Sequence, residues 1–236
     1  MQNCILARKL SINHKAKIDM DIEKKSIFVG SKAYLEKSFL EELSYKIWST
    51  KGTRFRASIR LTTISKMSNI SISILSAYLI IAGLLAVYNI ENDDNNLKYI
   101  NYYVTALSIL QLVIAQFENS QDYKLKAKNF HDCSLELSKL YNKLRTFKTL
   151  NSTASEYSVL SFCQKLSEEY QEILNRYENH DDIDYDNFKV EKFDHFSELT
   201  KKDVKNIKYR YLWICYGAYS LIIIIPPLII LGIIVF

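Results

Sequence analysis

The sequence predicts an all-α membrane protein built from a transmembrane helical hairpin, a cytoplasmic antiparallel helix pair and a C-terminal third transmembrane helix. Three observations carry this expectation. Apolar residues fall in blocks of about 20, the length that crosses the ~30 Å hydrocarbon core of a bilayer. The 236 residues include only five glycines and two prolines, too few corners for a many-stranded sandwich or barrel. Charge is also segregated: there is no Asp or Glu from Leu43 to Ile90, and no charged residue from Tyr211 to Phe236. The mean hydropathy is near zero only because charged and uncharged stretches alternate.

The hairpin is expected over about 69–117. Its first leg, Ile70 to Tyr88, is uninterrupted and long enough to cross. Its second leg, Tyr99 to Phe117, is equally long but holds Asn101, Gln111 and Gln116. After a confident first span and a short loop, it is expected to be the return leg. The third span, Tyr211 to Phe236, contains Pro226 and Pro227, which are expected to divide it into two apolar halves.

Basic residues are retained on the cytoplasmic side of a bilayer, and they set the orientation. Lys46, Lys51, Arg54, Arg56, Arg60 and Lys66 precede the first span, while Glu91, Asp93 and Asp94 follow it with a single Lys98. Lys124, Lys126 and Lys128 follow the second span, and Lys201, Lys202, Lys205, Lys208 and Arg210 precede the third. The amino terminus and 118–210 are therefore expected in the cytoplasm, with Phe236 at the outer face of a multi-pass protein. Residues 1–30 are polar and read as a loosely ordered segment. The short apolar stretch from Cys4 to Leu6 makes no cleavable signal. The first span is expected to serve as the membrane signal, with Met20 an alternative start to Met1.

Two amphipathic cytoplasmic helices are expected within about 118–178. The first continues directly from the second span, with Phe130, Cys133, Leu137, Leu140, Leu144 and Phe147 on one stripe. The second, Glu156 to Tyr177, carries Val159, Cys163, Leu166, Tyr170, Ile173 and Tyr177 on a matching stripe, after the polar break Asn151 to Ser155. Such helices pair antiparallel, and a further amphipathic stretch, about Ala33 to Trp48, is placed to pack beside them.

Little in the chain suggests catalysis. Glycines are scattered, so no phosphate-cradling loop is present; His14, His131, His180 and His195 sit in no catalytic motif, and no enzyme activity or cofactor is expected. Cys4, Cys133, Cys163 and Cys215 lack paired spacing and read as small apolar helix residues, so no metal is expected. The acidic run Glu178 to Asp186 lacks the glycine and ligand order of a calcium loop and reads as a solvated helix end. The basic run Lys201 to Arg210 reads as a topology determinant near anionic lipid, without direct nucleic-acid binding.

The candidate functional feature is a stripe on the second span. Asn101, Thr105, Ser108 and Gln111 recur at steps of three or four and lead to Glu118 at the inner end. Such residues either let helices pack closely and hydrogen-bond across the interface, or line a water-filled path in an oligomer with Glu118 as an inner ring of charge. Asn69, Ser73, Ser76 and Gly83 offer a counterpart on the first span.

Three stretches together resemble a known family: Lys46 to Leu61 (KIWSTKGTRFRASIRL), Glu118 to Cys133 (ENSQDYKLKAKNFHDC) and Glu169 to His180 (EYQEILNRYENH). They are similar to the SMODS and SLOG-associating two-transmembrane effector domains, the SLATT family, and most closely to its fifth subfamily. The resemblance covers about 40–195 and implies a SLATT-like domain over 31–195, followed at 196–236 by a basic juxtamembrane segment and the third span. It further implies a homo-oligomeric effector of a bacterial anti-phage conflict system in the inner membrane. Such an effector permeabilises the membrane on a nucleotide second-messenger signal, or on one from a neighbouring-gene sensor, synthetase or reverse transcriptase. The alternative is a non-conducting anchor or scaffold that holds a defence enzyme at the bilayer.

Overall fold

The computed structural model describes residues 37–88, 95–151 and 155–235. The expectations for 1–30, for the acidic loop at 89–94 and for the polar break at 152–154 lie outside the described residues. Every element among the described residues is helical, and the protein is an all-α membrane protein.

Helix α1, Phe39–Tyr88, runs 50 residues without interruption, about 75 Å at 1.5 Å per residue. It contains no proline, and Glu41 and Glu42 in its first turn complement the helix dipole. The amphipathic stretch, the basic run and the first span are therefore one rod. Helix α2, Asn95–Ser120, returns alongside it. The chain was expected to continue directly into the cytoplasmic helix, but it turns at Gln121 and Asp122 instead. Asp122 takes a left-handed conformation, φ 52°, which a short polar side chain tolerates. The preceding Asn119 and Ser120 compete with helix backbone bonding, and the Ser120 hydroxyl donates to the Phe117 carbonyl at 2.7 Å.

Helix α3, Tyr123–Leu150, lies antiparallel along the first half of α1. Ala57 and Leu61 of α1 meet Ala127 and Phe130 near its start, and Leu43 and Ile47 meet Leu137, Leu140 and Leu144 near its end. Helix α4, Glu156–Arg176, adds Leu166, Tyr170 and Ile173 to that core. The two stripes pair antiparallel as expected, α4 on α3, and α1 packs against the pair in the same core. Ser155 caps α4 by accepting from Ser158 N–H, the Phe147 and Phe162 rings stack at 3.8 Å, and Thr50 and Tyr170 hydroxyls pair at 2.8 Å.

Helix α5, Asp182–Glu191, closes the helical bundle against α1. Phe188 seats between Trp48 and Phe196 and presses on Gly52, where an added Cβ would overlap ring carbons Cε2 and Cδ2. A glycine inside a helix costs about 1 kcal/mol relative to alanine, and this close approach accounts for its presence. Gly52→Ala is accordingly expected to lower stability, by about 1–3 kcal/mol of overpacking, despite the better helix propensity. A denaturant titration that finds the variant more stable would refute the packing.

Helix α6, Lys201–Leu212, begins with a reciprocal capping box between Thr200 and Asp203. It passes through a π-helical segment, Trp213–Gly217, into α7, Ala218–Val235. Gly217 lets the Trp213 indole lie across the helix, since a Cβ there would come within 2.7 Å of its ring. The irregularity thus precedes the prolines, which do not divide the span: Pro226 and Pro227 lie inside α7. Pro227 has no N–H to give the Ile223 carbonyl, and that carbonyl accepts the Tyr78 hydroxyl at 3.3 Å instead.

Among the described residues, two helices are long and apolar enough to cross a membrane, Phe39–Leu85 and Lys201–Leu228. Only 11% and 6% of their apolar windows are buried within the chain. The core helix of a soluble protein would have buried those residues; here Ile80, Leu84, Leu85, Leu221 and Ile224 are exposed. Helix α2 is not one of the two found among the described residues. Its outer face nevertheless exposes Leu107, Ile109, Leu112, Val113 and Phe117.

Candidate functional site

The polar stripe of α2 divides along its length. Asn101, Thr105 and Ser108 are exposed; the Thr105 and Ser108 hydroxyls donate back to the Asn101 and Val104 carbonyls, each at 2.8 Å. Each hydroxyl is thereby satisfied within its own helix. Gln111 instead turns toward α1, where its amide donates to the Ile72 carbonyl at 3.3 Å and also reaches the Ser76 hydroxyl. Ser76 and Gly83 of the counterpart stripe face α2, with Val104 3.9 Å from where a Gly83 Cβ would lie. Asn69 and Ser73 remain exposed.

Glu118 sits where three helices meet. Its Oε2 accepts from Ser68 of α1 at 2.8 Å and from Tyr219 of α7 at 3.0 Å. Ser71 of α1 reaches the Tyr219 carbonyl at 3.4 Å. One carboxylate thus joins both legs of the hairpin to the third helix. Below it, a cleft of about 480 Å³ opens between α1 and the start of α3, with Ser65, Asn69, Asn119, Lys124 and Lys128 on its walls. Sequence reasoning missed Ser68, Ser71, Tyr78 and Tyr219 as tethers; the seven-residue step from Ser71 to Tyr78, two polar groups on one helix face, was the available signal.

A second junction lies within the helical bundle of α1 and α5. Arg60 Nε and Nη2 donate to the two oxygens of Asp184 at 2.7 and 2.8 Å, and Nη2 reaches Asp181 at 2.5 Å. This is the bidentate geometry in which guanidinium holds a carboxylate most firmly. Asp184 is wholly buried, and it also accepts the Asp181 backbone N–H at 3.3 Å. The acidic run was expected to be a solvated helix end. For Asp184 that expectation is wrong, because the carboxylate has a buried cation to meet. Arg56 pairs with Glu191 of the same helix α5, and Arg210 approaches Asp186 at 3.9 Å. Arg54 is buried as well, at 1% exposure. Lys201, Lys202, Lys205 and Lys208 are exposed on α6.

Outside the core, Tyr177 donates to Glu136 at 2.8 Å; burial and that carboxylate push its hydroxyl pKa up to about 12, so it remains a donor at neutral pH. The two junctions make α1 the common strut of the molecule: its first half carries the bundle of α3, α4 and α5, its second half both other apolar helices. A displacement of α5 is therefore geometrically linked to α7 through α6.

A family model described as SMODS and SLOG-associating 2TM effector domain family 5 matches residues 36–233, from the start of the described chain through the third apolar helix. No curated protein and no solved structure matches the chain.

Proposed function

The chain belongs to family 5 of the SMODS and SLOG-associating 2TM effector domains, and from that premise we propose that it is a pore-forming effector of a bacterial conflict system. The family is one of membrane effectors rather than of enzymes. In this reading the chain oligomerises in the inner membrane with its amino terminus and 118–210 in the cytoplasm. It stays closed at rest and permeabilises the bilayer when a nucleotide or partner-protein signal arrives.

The observation that carries the reading is the exposed polar edge Asn101, Thr105 and Ser108 on a helix that also exposes Leu107, Ile109, Leu112, Val113 and Phe117. Polar side chains facing hydrocarbon are costly, and they collect where a second protein surface or water covers them. Gln111 and Glu118, turned inward onto Ser76, Ser68 and Tyr219, hold the hairpin and third helix together in the closed form; release of Glu118 adds a carboxylate to the inner mouth.

The test is membrane depolarisation in cells beside single-channel recording of purified protein. Ser108→Leu with Asn101→Leu is expected to keep expression and oligomer state while abolishing conductance, because an apolar constriction excludes water and ions. Undiminished conductance in that variant rules out α2 as the pore lining. One feature favours a second reading, a non-conducting scaffold: Thr105 and Ser108 already satisfy their hydroxyls within α2 and so tolerate lipid without a water path. A wild type that conducts under no condition, yet retains a partner enzyme at the membrane, decides for the scaffold.

A further inference from the structure

Arg54 is 1% exposed, and its bonding is incomplete. Its Nη2 donates to the Asn179 side chain at 3.2 Å, and its guanidinium lies 5.3 Å from the Phe130 ring centre. Its Nε and Nη1 are buried with no hydrogen-bond partner, and so is Nδ1 of His180, the residue after Asn179. Asp184, whose charge Arg54 feels, is already held at both oxygens by Arg60. A buried guanidinium left in that state is among the most costly arrangements in a protein interior. Arg60, six residues along the same helix, is by contrast fully engaged.

A pocket of about 180 Å³ is lined by Lys126, Asn129, Phe130, Arg176, Tyr177 and Glu178, with Arg54 and His180 outside its walls. Phe130 is common to the pocket and the Arg54 contacts, and Glu178 immediately precedes the Asn179 that holds Arg54. Lys126 and Arg176 bring positive charge to the mouth; Glu178 opposes it, and Arg176 is shared with Glu136 at 2.6 Å. Burial, and next the Arg54 charge, hold the His180 imidazole below its ordinary pKa, so it stays neutral and offers Nδ1 as either donor or acceptor.

We infer that Arg54, His180 and Lys126 form a phosphate-binding site in the cytoplasmic bundle, entered through the pocket over Phe130. A turn of the Phe130 ring would join the pocket to the guanidinium, where an open N–H group donates to a phosphate oxygen while Nη2 stays with Asn179. The volume decides the ligand's size. Drug-sized ligands occupy about 300 Å³ or more, and a water takes about 30 Å³, so the pocket holds inorganic phosphate or the terminal phosphate of a larger ligand whose remainder stays outside. Position decides its source. Arg54 lies sixteen residues before Ile70 on a continuous helix, about 24 Å from the start of the apolar span, beyond the reach of a lipid headgroup. The ligand is therefore a soluble phosphate compound.

The test is calorimetric titration of inorganic phosphate into the full chain in detergent, at constant ionic strength with chloride as the balancing anion. Wild type is expected to bind saturably. Arg54→Met, which removes an unpaired buried charge and keeps the side chain's length, is expected to stay folded and bind about 10- to 100-fold more weakly, the loss of one charge-assisted hydrogen bond. Should that variant misfold, Lys126→Gln at the pocket mouth is expected to weaken binding several-fold in an intact protein. No heat beyond the chloride control, or equal affinity in wild type and the folded variants, overturns the site. Repeating the titration in phosphatidylcholine nanodiscs with and without phosphatidic acid separates the sources. Unchanged affinity supports a soluble ligand, and competition by phosphatidic acid that depends on Arg54 overturns it. The inference goes beyond the effector reading, and because binding is measured without conductance, failure of either leaves the other standing.

Discussion

Leu137→Asp is expected to unfold the bundle of α1, α3 and α4, while Lys139→Asp, two residues away, leaves it folded. Leu137 is wholly buried in α3 among Leu43 and Ile47 of α1 and Leu166 and Tyr170 of α4. Its replacement removes about 2–5 kcal/mol of apolar burial and puts a carboxylate where no cation or donor answers it. The group then either ionises unpaired or takes up a proton, and each route adds several kcal/mol. The sum is comparable to the whole stability of a domain this size. Lys139 is exposed on the opposite side of the same turn, and surface substitutions of that kind stay within about 0.5 kcal/mol. Circular dichroism and limited proteolysis of the detergent-solubilised chain report both. Small and equal effects would mean that the α3 stripe does not form the core.

Asp184→Ala is expected to destabilise the protein by about 3–5 kcal/mol, because it leaves the Arg60 guanidinium buried without its bidentate partner. The companion experiment distinguishes this from simple loss of packing. Arg60→Met combined with Asp184→Leu removes both charges together, and such replacements of a buried pair are often neutral. The double variant is therefore expected to recover most of the loss, a coupling that a double-mutant cycle measures directly. Since α5 leads through α6 into α7, Asp184→Ala is also expected to raise hydrogen exchange across Asp182–Glu191 and Lys201–Leu212. Additive single and double effects, with no recovery, would show that Arg60 and Asp184 do not act as a pair.

The two core stripes were legible in the chain because helical burial is periodic. Cys133, Leu137, Leu140 and Leu144, and Cys163, Leu166, Tyr170 and Ile173, stand at steps of three and four and are buried, since a helix can bury only one face against one neighbour. The pairing of α3 with α4 was legible as well; less so was how far α1 extends along α3, from Leu43 to Leu61. A run holding Lys46, Lys51, Arg54, Arg56 and Arg60 looks like a headgroup anchor when only local composition is read. The stripe on α2 was likewise visible as a stripe, but its division into exposed Ser108 and engaged Gln111 depends on the rotation of α2 about its own axis. Periodicity leaves that rotation free, and side-chain packing against Ser76 fixes it.

By itself, then, the sequence determined the helical class, the apolar blocks and the faces that must be buried, because these follow from the length of a bilayer and the pitch of a helix, both properties of neighbouring residues. Only the tertiary structure decided which charges meet. Arg60 and Asp184 are 124 positions apart, and Glu118 and Tyr219 are 101 apart. No local pattern distinguishes a carboxylate destined for water from one destined for a buried guanidinium, since the difference lies in desolvation and arises only when distant segments are brought together.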